Sequence, residues 1–184
     1  MIAAIVLAAG ASTRLGEPKQ LLRLGSETLL ERAVRTAREA GCFPVVAVLG
    51  AAAEQIGERC DLGEAIVALN PGWREGMASS VRVGLVAAQS GGADGVVLMT
   101  CDQPAVTAEH LRALMAGGAV TASEYAGWRG VPAYFPAASF AALMKLTGDA
   151  GARELLRGAA AIELAGGELD VDTIADLDAV KRLL

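Results

Sequence analysis

Histidine is nearly absent from this sequence: His110 is the only one among 184 residues. With no second imidazole and no converging cysteine, a histidine-based metal site has no ligands to draw on. The polar helix start around His110 leads us to expect a solvated surface residue. Cysteine is scarce too. Cys42, Cys60 and Cys101 are too widely separated for a CxxC metal or redox pair, and an odd number suits no closed disulfide framework, which points to a reducing compartment. The apolar opening Ile2 to Ala9 lacks a basic flank and falls far short of the ~18 residues of a membrane span. Nor is basic charge in surplus. Sixteen Lys and Arg against 21 Asp and Glu leave a net charge of −5, which argues against a broad surface for nucleic acid. A local basic pocket for a small phosphorylated ligand stays open. The expectation is a soluble cytoplasmic protein that engages neither nucleic acid nor membrane.

What the chain does have is core material. Hydrophobic residues make up 53% of a length suited to one domain, here taken as residues 1–184. Strand and helix patterns alternate from end to end. Ile2 to Leu7 is a short continuous apolar run, as in a strand buried on both faces. Leu29, Leu30, Ala33, Val34 and Ala37 follow at helical spacing, giving an amphipathic helix over Glu27 to Ala40 that ends at Gly41. Further strands are expected at Val45–Leu49, Ala65–Leu69, Gly95–Met99, Val120–Ser123 and Ala133–Phe135, with weaker ones at Ile162–Leu164 and Leu169–Val171. Further helices are expected at Ala52–Arg59, Ala78–Gln89, Ala108–Met115, Ala138–Leu146 and Ala150–Leu156. A final helix, Ile174–Leu183, opens on Thr173 and Asp176 in a capping-box arrangement. Alternation of this kind predicts an α/β fold: a mostly parallel, Rossmann-like sheet with helices on both faces. Ligands of such sheets sit at the carboxyl ends of the strands, so the loops after the first and fourth strands are where chemistry is expected.

The first of these loops runs from Leu7 through Ala8, Ala9, Gly10, Ser12, Arg14 and Gly16 to Lys19. Gly10 and Gly16 let the backbone turn closely and leave N–H groups for phosphate oxygens, while Arg14 and Lys19 supply positive charge. The spacing is neither a Walker A loop nor a G-x-G-x-x-G fingerprint. Taken singly, these residues fit an ordinary strand-to-helix loop equally well. Asp102 follows the apolar strand in a turn closed by Pro104, where a carboxylate can face a metal or simply cap the turn. Ser79 and Ser80 suit the first turn of a helix. Asp149 suits a helix N-cap, with Arg153 inside the following turns or facing an anionic substrate. Trp73 and Trp128 flank glycine-containing loops, where an aromatic covers a ligand or caps the core.

Leu7-Ala-Ala-Gly-Ala-Ser-Thr-Arg-Leu-Gly16 with Pro18-Lys19 resembles the L-A-A-G-x-S-x-R-x-G-x-x-K signature of nucleotidyltransferases, most closely the MobA-like branch. The resemblance continues at Asn70–Ser80, Thr100–Pro104, Gly148–Arg153 and Asp170–Thr173, so it spans essentially the whole chain. Gly127 to Pro132 follows the family's G-x-P substrate segment only loosely. Within the branch the chain is similar to the MocA-like molybdenum cofactor cytidylyltransferases, which join CTP to molybdopterin cofactor and release pyrophosphate. The resemblance implies a nucleotide-diphospho-sugar transferase-like fold. It also implies a nucleotide site built from Leu7, Ala8, Ala9, Gly10, Arg14, Lys19, Ser79, Ser80 and Asp102, with Arg14, Lys19 and Asp102 catalytic. Mg²⁺ would be held by Asp102 and Asp172, and the product would pass to a molybdoenzyme or its chaperone. Alanine at position 9, where guanylyltransferase relatives tend to carry glycine, favours CTP. The rivals are transfer to another phosphorylated acceptor, and a redox or non-catalytic nucleotide-binding role.

Overall fold

The computed structural model describes residues 1–12, 16–149 and 151–183. Seven strands among them form one sheet: β1 (Ile2–Ala8), β4 (Val45–Leu49), β5 (Ile66–Leu69), β6 (Gly95–Thr100), β7 (Thr121–Tyr125), β8 (Trp128–Pro136) and β9 (Ala160–Glu163). Their spatial order is β5-β4-β1-β6-β8-β7-β9, and β8 alone runs against the rest. A separate two-stranded ribbon pairs β2 (Arg23–Leu24) with β3 (Glu27–Thr28). The mostly parallel α/β expectation therefore holds.

The chain steps outward from β1 to β4 and β5, then returns to the other side of β1 as β6. The order of strands reverses between β1 and β6, the place where open α/β sheets bind ligands. Helices α1 (Leu29–Glu39), α2 (Ala53–Arg59) and α4 (Ala108–Ala116) cover one face, over Ala4, Val6, Ala47 and Met99. On the other, α3 (Met77–Ser90) and α5 (Phe140–Leu143) lie over Ile5, Val46, Val48 and Leu98. Alternate residues of the same strands feed the two cores, which is why β1 reads as a continuous apolar run. Burying both faces is what sets β1 in the middle. The last helix, α6 (Ile174–Leu183), packs through Leu177 and Val180 with Val171 onto Leu22 and Leu29.

Several boundaries differ from the sequence reading for identifiable reasons. The first helix starts at Leu29, because Thr28 accepts from Glu31 N–H at 3.2 Å while the Glu31 carboxylate accepts from Thr28 N–H at 2.7 Å. This closed capping box releases Glu27 to the ribbon. The strand at 133–135 extends back to Trp128, since β7 supplies a partner. Of the helix expected at 150–156, Ala150 lies outside the described residues, and the described part holds a short 3-10 turn over Arg153–Leu156 that opens at Ala152 rather than at Asp149. The expected strand at 169–171 does not form. Instead, Val171 N–H donates to Asp102 O at 2.9 Å. His110 is buried, correcting the surface expectation: its Nε2 lies 2.7 Å from Ser123 Oγ, which donates to Pro132 O at 2.6 Å. With the hydroxyl proton spent on that carbonyl, His110 Nε2 is the donor to Ser123, and the pair is structural. Among the described residues no helix is long and apolar enough to cross a membrane.

Candidate active site

A cleft of about 630 Å³ opens at the reversal between β1 and β6, lined by Leu7, Ala9, Gly10, Lys19, Ser80 and Asp102 among the expected residues. Trp73, Arg74, Gly76, Met77, Thr100 and Asp149 complete its wall. Ala8 and Ser79 lie beneath the surface: Ala8 is buried, and the Ser79 hydroxyl donates to Gly76 O at 2.8 Å. Arg14 lies outside the described residues.

The charged centre is Lys19. It begins a 3-10 turn, Lys19–Leu21, and its ammonium donates to Asp102 Oδ2 and, at 3.1 Å, to Asp172 Oδ1. Burial works against that ammonium, but the Asp102 carboxylate and the hydrogen bonds to Asp102 and Asp172 outweigh it and hold its pKa well above the ordinary lysine value. The convergence has a local cause. Val171, fully buried, plugs into the cluster under α6 and bonds the Asp102 carbonyl, and the next residue is Asp172. The expected Thr173 and Asp176 capping box then fixes the chain's exit, with Asp176 Oδ2 accepting from the N–H groups of Asp172 at 3.1 Å and Thr173 at 2.7 Å. Asp170 joins the cluster, and partial burial first, then the Asp102 and Asp172 charges, raise its carboxyl to about 6. Cys101, immediately before Asp102, is buried, which holds its thiol protonated.

The residue types fit a hard divalent cation. Asp102 and Asp172 reach one point charge together, and their side chains are partly exposed. No group of three His, Cys, Asp or Glu side chains among the described residues is arranged to hold a metal ion. A bound ion would therefore draw its remaining ligands from phosphates and water, the usual way Mg²⁺ is held.

A second cleft of about 280 Å³ shares Met77, Thr100, Asp102 and Asp149 with the first, and adds Gln103, Tyr125, Gly130, Val131, Arg153 and Asp170. Asp102 therefore stands on the wall between two binding spaces. The Gly130 and Val131 backbone comes from the segment that matched the family only loosely, while Trp128 is 71% exposed and lines neither cleft.

The sequence reading gives no site role to Asn70, Arg74, Asp149 or Gln20: Asn70 and Arg74 fall only inside a stretch of resemblance, Asp149 reads as a helix cap, and Gln20 is not singled out. Asn70 is buried and donates to Ser79 Oγ at 2.8 Å and Ser80 Oγ at 2.9 Å, joining the end of β5 to the first turn of α3. Arg74 lies over the Trp73 ring, 4.5 Å from its centroid. Gly76 faces Asp149, whose Oδ1 would be 2.5 Å from any Cβ there, so this close approach requires glycine. A lone polar residue beside apolar strand ends was the available signal for Asn70.

The MobA-like NTP transferase domain model matches residues 4–165. The chain belongs to this family. It is therefore a member of the nucleotidyltransferase superfamily, and its fold is that of nucleotide-diphospho-sugar transferases. The MobA-like chain is 34% identical to the purine catabolism protein PucB of Bacillus subtilis strain 168, over 98% of this chain and 96% of that protein. It is 33% identical to the nicotine blue oxidoreductase of Paenarthrobacter nicotinovorans, over 85% of this chain and 81% of that one. The crystal structure of Rv0371c from Mycobacterium tuberculosis H37Rv in complex with manganese superposes with a TM-score of 0.82 at 31% identity, covering 100% of this chain and 99% of that one. That relative's manganese complex points to divalent metal use in the family.

Proposed function

We propose that this protein transfers CMP from CTP to the phosphate of molybdopterin cofactor, with Mg²⁺ as the metal and pyrophosphate as the leaving group. The observation that carries the proposal is the Lys19, Asp102 and Asp172 cluster, set at the carboxyl ends of β1 and β6 between two clefts. A phosphate nucleophile is ionised at neutral pH, so the reaction needs alignment and charge screening rather than a general base. The single histidine, spent on Ser123, accords with that.

The larger cleft takes the nucleotide. Leu7, Ala9 and Ser80 face its sugar and base, and Gly10 offers backbone N–H to the phosphates. Lys19 turns from its carboxylates to the oxygens of the α-phosphate as charge develops there, and Arg14 neutralises the departing pyrophosphate. Asp102 and Asp172 would hold Mg²⁺, which supplies screening between triphosphate and attacking oxygen. The acceptor phosphate enters from the smaller cleft, and the wall at Asp102 is where the two substrates meet.

A redox reading draws on the nicotine blue oxidoreductase relative, and it requires a bound nicotinamide or flavin with its own absorbance. The deciding experiment incubates purified protein with Mg²⁺, molybdopterin cofactor and each nucleoside triphosphate in turn. Pyrophosphate and the cytosine dinucleotide, formed with CTP alone, are expected. Turnover with GTP instead would overturn the base assignment. No turnover, with Mg²⁺-CTP still tightly bound, would overturn the acceptor.

A further inference from the structure

We infer that Gln20 is a positioning residue that makes the Ala8 to Gly10 turn present only hydrogen-bond donors to an anion; this rests on the nucleotide reading above. Gln20 is 1% exposed and does not line the cleft. Its Nε2 donates to Ala8 O at 2.7 Å and to Gly10 O at 3.1 Å. The carbonyl between them, Ala9 O, accepts from Ala51 N–H at 3.1 Å. All three consecutive carbonyl oxygens at the mouth of the turn are thus tied back into the protein. The N–H groups of Gly10 and Ala11 have no acceptor among the described residues. A phosphate arriving at this turn meets donors and none of these three carbonyl oxygens, which is the electrostatic condition of an anion nest.

The amide orientation is forced. Reversing it would set Oε1 against two carbonyls, whereas the orientation present lets Oε1 accept from Ser12 Oγ at 3.4 Å. Ser12 Oγ in turn accepts from Lys19 N–H at 2.9 Å. The start of the loop, its middle and the lysine that closes it therefore meet around one buried side chain. Because Gln20 follows Lys19 in the same 3-10 turn, pinning the glutamine inward turns the ammonium outward into the cleft. Gly50 supports the arrangement from beneath, since a Cβ there would come within 2.6 Å of Ala9 O and 2.9 Å of Trp73 Cβ.

The test compares equilibrium binding of CTP and of cytidine to the full chain, in the wild type, Gln20→Met and Gln20→Glu. Cytidine lacks phosphates, so a general loss of structure weakens both ligands while a loosened nest weakens CTP alone. Gln20→Met, near in volume but without donors, is expected to keep the wild-type circular dichroism, leave cytidine affinity unchanged and weaken CTP about 10-fold, the scale of one hydrogen bond to a charged group. Gln20→Glu sets a carboxylate oxygen against two carbonyls and is expected to weaken CTP further. Equal losses for both ligands, or no loss for either, would overturn the inference. Should Gln20→Met fail to fold, the near-isosteric Gln20→Glu decides by the same ratio, and an unchanged ratio of CTP to cytidine affinity there overturns the inference. A wild type that binds no nucleoside triphosphate overturns the nucleotide reading itself, a separate result.

Discussion

At Lys19 one ammonium is shared by two carboxylates that lie 83 and 153 residues further along the chain. Removing it takes away the ammonium between Asp102 and Asp172, two partly buried carboxylates that repel each other. Lys19→Met is therefore expected to lower stability by about 2 kcal/mol, or roughly 4–8 °C in melting temperature for a chain of this size. Divalent cation should restore more of that loss in the variant than it adds to the wild type. Thermal melts with and without Mn²⁺ check this, and an equal response in both proteins would contradict a shared cation site. His110 makes a second prediction at this scale. Burial lowers its pKa below the ordinary 6.5, so the unfolded chain binds the extra proton first and stability falls as pH drops through about 6.5 toward the folded value. His110→Gln, which keeps an N–H donor but cannot titrate, should flatten the acid limb of melting temperature against pH between about 7.5 and 5.5. An unchanged slope would sink the assignment. Lys19 and Asp102 were legible through the motifs that resemble the family's signature, since their spacing from an apolar strand or a glycine loop fits an ordinary turn equally well. Gln20 was not, because only the fold reveals that its amide reaches back to the turn it follows.

At the scale of elements, β1 and α3 set how open the cleft can be. Gly84 of α3 lies against β1, and a Cβ there would come 2.9 Å from Val48 Cγ2 and closer still to Ile5 Cγ2. Helix propensity alone would favour Gly84→Ala by about 1 kcal/mol, while overpacking of a buried contact costs about 1–3 kcal/mol. The net expectation is a lower melting temperature, with α3 and its Ser80 displaced from the cleft wall. A melting temperature equal to or above wild type would show that the contact relaxes freely. The parallel strands were readable from apolar runs alone, since burial on both faces leaves no polar alternation to confuse. The two-residue ribbon strands β2 and β3 were not readable, being too short for any period. Nor was the reversed direction of β8, which depends on pairing with β6 and β7 rather than on its own residues.

Over the whole molecule, the account rests on one topological fact: the strand order reverses where the glycine loop of β1 and the aspartate after β6 come together. Carboxylates elsewhere on the surface are screened, but beside Lys19 the Asp102 and Asp172 carboxylates match its charge, so a phosphate ligand there would rely on backbone N–H groups and on a divalent cation held by those two aspartates. Which residues meet across the two clefts depended on tertiary closure. Asp149 reaches the site because Gly148 O accepts from Ala78 N–H at 3.0 Å, a contact that no local spacing announces. Asp102 stands at the shared wall, so its removal tests the central claim most directly. Pyrophosphate release from Mg²⁺-CTP and molybdopterin cofactor should fall on the order of 10²-fold or more in Asp102→Ala, the scale of losing one electrostatic stabiliser. A fall of less than about threefold, set against that scale, would contradict the account.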